Sequence, residues 1–212
     1  MKLRYYGHSC FTLRFSDNTL LLTDPYDASV AYAPCAQPPM AALVSHDHFD
    51  HNCVESLAGA FDVVKAAGEY HFGNVSVQAV ESFHDDKKGA LRGKNLITRI
   101  EGDGLRIAHL GDLGHLPETN AQRDALTDLD VMLIPIGGVF TIDTPQAEEL
   151  IRVCKPKIAI AMHYRTEVTA TWKISPPDRF IRDMHAFRLP NEVEITRDTL
   201  PEMPRAAVME YR

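Results

Sequence analysis

The chain has 212 residues, 45% of them hydrophobic, and its 22 Lys+Arg against 29 Asp+Glu give a formal net charge of −7. That length suits one domain with a sizeable core, read here as a single unit over residues 1–212. The acidic balance argues against a general nucleic-acid or membrane-surface binder, and no apolar run approaches the ~20 residues of a spanning helix.

In chain order, "KLRYYGHSCFTLRF" is aromatic and β-branched with some alternation and is predicted to be strand. "TLLLTDP" is an apolar run stopped by Pro25, and "MAALVSH" is another. Runs of this length bounded by turn signals suit strands buried on both faces. "HNCVESLAGA" reads as a short helix closed by Gly59. "FDVVKAAGEYHFGNVSVQAVESFH" carries strand signals, with turns at Gly68 and at Gly73-Asn74. "NLITRIEGDGLRIAHLGD" is the clearest hairpin, turning at Glu101 to Gly104. "PETNAQRDALTDL" predicts a helix with Pro117 in its first turn, followed by the strand "DVMLIPIGG". In "TPQAEELIRVCKP", Thr144 is the expected N-cap, Pro145 the first helical residue and Glu148 the capping-box partner. The strand "KIAIAMHY", the helix "SPPDRFIRDMHAF" and a short strand-like tail complete the chain. Strands that give way to alternating strands and helices predict a layered α/β fold.

Cys10, Cys35, Cys53 and Cys154 form no CxxC pair, which predicts reduced thiols in a cytoplasmic protein. The first residues show no long apolar stretch of the signal-peptide kind.

The segment "HDHFDH" packs three histidines and two aspartates between His46 and His51, directly after an apolar run. Imidazole nitrogens and carboxylate oxygens are the usual ligands of catalytic zinc. Three histidines in six residues beside a buried strand are hard to reconcile with a merely solvated loop. Downstream, His84 follows "VQAVESF", Asp112 follows "LRIAHLG" and His163 follows "KIAIAM". Strand ends on one sheet edge are where open α/β folds place ligands.

"HDHFDH" matches the HxHxDH signature of the metallo-β-lactamase superfamily. With "YYGHSCF", "LLTDPY", "FHDD", "RGKN", "HLGDLGH", "GGVFTID" and "AMHY", nearly the whole chain resembles the compact hydrolases of its ascorbate-6-phosphate lactonase-like branch. That branch is similar to the phospholipase D acting on N-acyl-phosphatidylethanolamine. The resemblance implies a four-layer αββα sandwich and two divalent metal ions. His46, His48 and His84 would hold the first, Asp50, His51 and His163 the second, and Asp112 would bridge them. Zinc is the first choice, with manganese or iron as alternatives. Flavodiiron relatives carry Glu at the position of His48, and imidazole in its place points to hydrolysis rather than redox chemistry.

The function so implied is hydrolysis of a small ester, lactone or phosphodiester by water activated between two metals, with Asp50 and His115 as candidate catalytic residues. The alternatives are a phosphodiesterase or nuclease, or an inactive metal-binding sensor or scaffold. The expected partner is a small molecule rather than a membrane or nucleic acid, and homo-oligomerisation stays open. Asp24, ending "LLLTD", is expected to orient a ligand histidine. His8 is either near the site or a strand histidine satisfied by backbone, and His115 is either a proton donor or a solvated loop residue. The run Lys87, Lys88, Arg92 and Lys94 reads as a lid over an anionic substrate or as a solvated face. His71, His109 and His185 receive no role, and Cys10 and Cys53 are read as packing.

Overall fold

The computed structural model describes residues 1–212. Its strands are β1 (Lys2–Gly7), β2 (Cys10–Arg14), β3 (Leu20–Thr23), β4 (Ala41–Leu43), β5 (Asp62–Val64), β6 (Gly68–Phe72), β7 (Val75–Phe83), β8 (Lys94–Gly102), β9 (Leu105–His109), β10 (Val131–Pro135), β11 (Ile158–Met162), β12 (Phe187–Leu189), β13 (Glu192–Glu194) and β14 (Arg205–Met209). The helices are α1 (Asn120–Ala125), α2 (Thr144–Cys154) and α3 (Asp178–Asp183). The strands form two sheets, in the orders β13-β1-β2-β3-β4-β5 and β12-β14-β11-β10-β9-β8-β7-β6.

Side chains on a strand alternate between faces, so each buried strand serves two layers. Val131 and Leu133 of β10, and Ile158, Ile160 and Met162 of β11, point into the core between the sheets. There they meet Leu3, Phe11, Leu13, Leu21 and Leu43 of the smaller sheet. The alternate residues Met132, Ile134, Ala159 and Ala161 pack on Leu126, Leu150, Ile151 and Phe180 of the helical side. This two-faced burial is why β10 and β11 read as unbroken apolar runs, and it fits their parallel pairing.

The αββα expectation holds for the two sheets and for the helices outside the larger one. Outside the smaller sheet, Cys10, Leu22, Tyr26, Val30 and Tyr32 pack under loops carrying 3₁₀ turns at Ala28–Val30 and Val54–Ser56. The helix expected in "HNCVESLAGA" is only the second of these turns. Cys53 gives it no side-chain cap, and Leu57 returns to extended backbone.

Two expected helix starts move, α2's cap by one residue and α1's first turn past Pro117. Asp143, not Thr144, caps α2: its carboxylate accepts from Gln146 N at 3.0 Å, and Gln146 returns the bond to Asp143 N at 3.1 Å. An ionised carboxylate is the stronger acceptor, so it takes the cap from the neighbouring hydroxyl. Thr119 with Gln122 caps α1, leaving Pro117 just outside the helix.

Candidate metal centre

The C-terminal ends of β3, β4, β7, β9 and β11 meet at one rim of the sandwich. Past them lie Asp24, the His46–His51 loop, His84, Asp112 and His163, and His8 joins from the turn between β1 and β2. Asp24 (φ 40°), His8 (φ 57°) and His163 (φ 51°) adopt left-handed backbone, which costs a non-glycine residue about 1–3 kcal/mol. Each sits where the chain leaves a strand and turns its side chain inward. The bend before Asp112 falls to Gly111 (φ +54°), where an added Cβ would lie 2.3 Å from Asn95 Oδ1. That oxygen accepts from Asp112 N at 2.9 Å, while Asn95 Nδ2 donates to Ser82 Oγ and Leu110 O. A buried asparagine thus fixes the main chain beneath Asp112.

Asp112 is the hub. Its Oδ2 lies 3.1 Å from His163 Nε2, 3.2 Å from His84 Nε2 and 3.9 Å from His46 Nε2, and its Oδ1 lies 3.4 Å from His51 Nε2. On one side, ring nitrogens of His46, His48 and His84 lie within 4.8 Å of one another. On the other, His8, Asp50, His51 and His163 satisfy the same spacing.

The ring orientations are set from behind. Asp24 Oδ2 accepts from His51 Nδ1 at 2.8 Å and from Ser45 Oγ at 2.8 Å. Ser45 Oγ in turn lies 2.9 Å from His46 Nδ1, and the Phe140 carbonyl accepts from His84 Nδ1 at 2.9 Å. With Nδ1 occupied on three rings, Nε2 faces the centre. Yet His46 Nε2, His51 Nε2 and Asp112 Oδ1 are buried without hydrogen-bond partners. The His51–Asp112 approach is close but not aligned as a hydrogen bond. An orphaned buried polar group costs about 1–3 kcal/mol, and a cation bound where these three converge would satisfy them together. The donor set, imidazole with carboxylate, fits a divalent metal such as zinc.

Electrostatics point the same way. Burial, reinforced by His51, pushes His46 down to about 2, and burial with His163 pushes His8 down to about 4. His51 runs the other way: burial works against its charge, but Asp112 and Asp24 raise it to about 10. Burial disfavours the Asp112 anion too, yet His163 and His51 hold it well below the carboxylate range. In the metal-free protein the centre thus sets His8 and His46, held neutral, beside a charged His51 paired with the ionised Asp112.

All seven ligand candidates, His46, His48, Asp50, His51, His84, Asp112 and His163, therefore converge, with Asp24 behind them. His8 also belongs to the cluster: its Nε2 lies 3.1 Å from Asp50 Oδ2, and its ring stacks 4.2 Å from His163. His115 is not brought in. Its Nε2 accepts from Phe83 N at 3.1 Å and its Nδ1 donates to the Leu116 carbonyl at 2.7 Å, so backbone occupies both nitrogens. The basic run is not a unit either: Lys87 pairs with Asp86 and Lys94 with Glu81, and only Arg92 faces the cleft. That cleft, of about 480 Å³, is also walled by Phe49, Phe140, Trp172 and Lys173, which sequence reasoning missed. Phe49 lies inside the motif and Phe140 inside "GGVFTID", so position was their only signal.

A model of the β-lactamase superfamily domain matches residues 2–163, well over half of the chain. The chain belongs to the metallo-β-lactamase superfamily. Within the superfamily it is 29% identical over 191 residues to a metal-dependent hydrolase of Thermoplasma acidophilum, covering 78% of this chain and 84% of that one. A crystal structure from Thermotoga maritima, provisionally assigned as a Zn-dependent hydrolase of the superfamily, superposes with a TM-score of 0.81 at 29% identity over 99% of each chain. A diiron β-hydroxylase of Streptomyces venezuelae is similar in fold alone, with a TM-score of 0.64 and 15% identity over 84% of this chain and 48% of that one. The superfamily fold thus carries more than one chemistry, and the side chains must decide between them.

Proposed function

We propose that the protein is a metal-dependent hydrolase of small esters, lactones or phosphodiesters. His46, His48 and His84 would hold one divalent ion and Asp50, His51 and His163 a second, with Asp112 shared between the two sets and zinc the expected metal. The observation that carries this reading is the convergence of the orphaned His46 Nε2, His51 Nε2 and Asp112 Oδ1 on one buried point. Such ions, when bound, lower the pKa of coordinated water and offset charge developing on a carbonyl or phosphoryl oxygen. The protein's own groups supply the rest. Asp24 keeps the proton on His51 Nδ1, and the Phe140 carbonyl does the same for His84. Both rings therefore turn Nε2 to the centre, and a bound metal would displace the proton that His51 Nε2 carries without it. Asp50, a carboxylate lining the cleft, would take a proton from attacking water and pass it to the leaving group. His8 Nε2, 3.1 Å behind it, holds it in position. Five imidazoles with two carboxylates favour hydrolysis over the carboxylate-rich ligation of redox iron.

No helix is long and apolar enough to cross a membrane. All four cysteines are free, which supports the reading of a reduced, cytoplasmic setting. The test is elemental analysis of purified protein, with chelation and re-addition of zinc, manganese or iron, beside a screen of aryl esters, lactones and phosphodiesters. Stoichiometric metal with metal-restored turnover is expected. Sub-stoichiometric metal under every condition would overturn the reading.

A further inference from the structure

The cleft wall around the centre pairs aromatic surface with positive charge. Phe49 is 56% exposed and Phe140 38% exposed, although both are large and apolar. Trp172 faces Phe49 with ring centroids 6.3 Å apart. Solvent-facing aromatic rings grouped in one concavity mark a place that an apolar ligand covers. The cations are Arg92 and Lys173, and neither pairs with a carboxylate, unlike Lys87 and Lys94 nearby.

Arg92 is also held in place. The buried Asp85 carboxylate accepts from four backbone N–H groups, of Lys87 (2.8 Å), Gly89 (2.9 Å), Leu91 (3.0 Å) and Arg92 (2.8 Å). The loop from His84 to Lys94 is thereby folded onto one side chain. The Arg92 guanidinium then lies 5.3 Å from the Phe140 ring centroid, stacked on the cleft wall with its N–H edge unused. The acids lining the cleft are Asp50 and Asp112, both turned to the histidine cluster, so nothing else in the cleft satisfies the two cations.

We propose that the cleft selects substrates joining an apolar body to an oxyanion, such as a carboxylate or phosphate monoester remote from the bond that is cut. Phe49, Phe140 and Trp172 cover the body, while Arg92 and Lys173 hold the anion. This deepens, and rests on, the reading of the site as a hydrolase. A planar guanidinium and an ammonium lining one cleft suit an oxyanion, offering paired donors and a point charge.

Trp172 is the only tryptophan, so its fluorescence reports on this cleft directly. The probes are p-toluenesulfonate, a poor metal ligand, and the neutral methyl p-tolyl sulfone of similar shape, titrated into metal-loaded protein. The sulfonate is expected to bind about tenfold tighter, and Arg92→Gln with Lys173→Gln together to erase that preference. Equal affinity in the parent, or a preference that survives in the double variant, would overturn the clamp. Turnover of phenyl acetate and its sulfonated analogue separates the two readings. Turnover without charge preference sinks the clamp and spares the hydrolase. A charge-dependent probe preference with no turnover of any ester, lactone or phosphodiester sinks the hydrolase and spares the clamp.

Discussion

Asp112 touches more of the centre than any other side chain, lying within 3.9 Å of four histidines. Removing it leaves buried imidazoles facing one another without the anion that makes their spacing tolerable. Asp112→Ala is therefore expected to lose most bound metal and to lower turnover by about 100-fold or more, an effect of the size that removing a charge-stabilising group produces. Metal analysis and kinetics on the same preparation check this, and retention of both would remove Asp112 from the centre. Asp24 acts one step further out. Asp24→Asn keeps the shape but weakens the carboxylate's hold on His51 Nδ1, and metal affinity should fall about 10- to 100-fold. Competition with a chelator of known affinity measures that loss, and an unchanged affinity would make Asp24 a turn former only.

The joints between strands and loops carry the site, and they explain what sequence could and could not reveal. Gly111→Ala keeps every ligand, yet its Cβ would meet Asn95 Oδ1 at 2.3 Å and Ser45 Cβ at 2.5 Å, in left-handed backbone. The main chain at Asp112 must shift, so metal affinity should fall although circular dichroism stays native. Loss of the fold itself, or no change in affinity, would contradict that account. The seven ligand candidates were legible because "HDHFDH" matches a family signature, while His84, Asp112 and His163 each follow a strand-like run, where residue type and strand end coincide. His115 lies three residues past Asp112, but sequence cannot show that Phe83 N and the Leu116 carbonyl consume both its nitrogens. Phe140, Trp172 and Lys173 were invisible for the opposite reason. An aromatic facing a cleft and one facing a core look alike in sequence, and only long-range packing separates them. The α2 start was one residue out because Asp143 and Thr144 both make good caps, and the choice is energetic rather than compositional.

At the scale of the whole molecule, the centre makes stability depend on pH once metal is stripped. His8, His46, His84 and His109 are all shifted down, chiefly by burial, so the fold holds them neutral. A histidine shifted down contributes stability above its unfolded pKa of ~6.5 and loses it as pH falls toward the folded value, about 4 for His8. His51, raised to about 10, does the reverse: its contribution is complete below ~6.5 and is lost as pH rises through about 10. With four groups against one, chelated protein should melt at progressively lower temperature from pH ~7 to ~5. Calorimetry across that range tests it, and a flat profile would show that these rings are not held neutral. One further consequence follows from where the site sits. The His46–His51 loop leaves the smaller sheet, whereas His84, Asp112 and His163 leave the larger. A bound ion would thus rivet across the seam between two layers otherwise joined mainly by apolar contact. Amide hydrogens of β4 and β11, which belong to different sheets, should then slow their exchange with deuterium together on metal addition, as members of one cooperative opening.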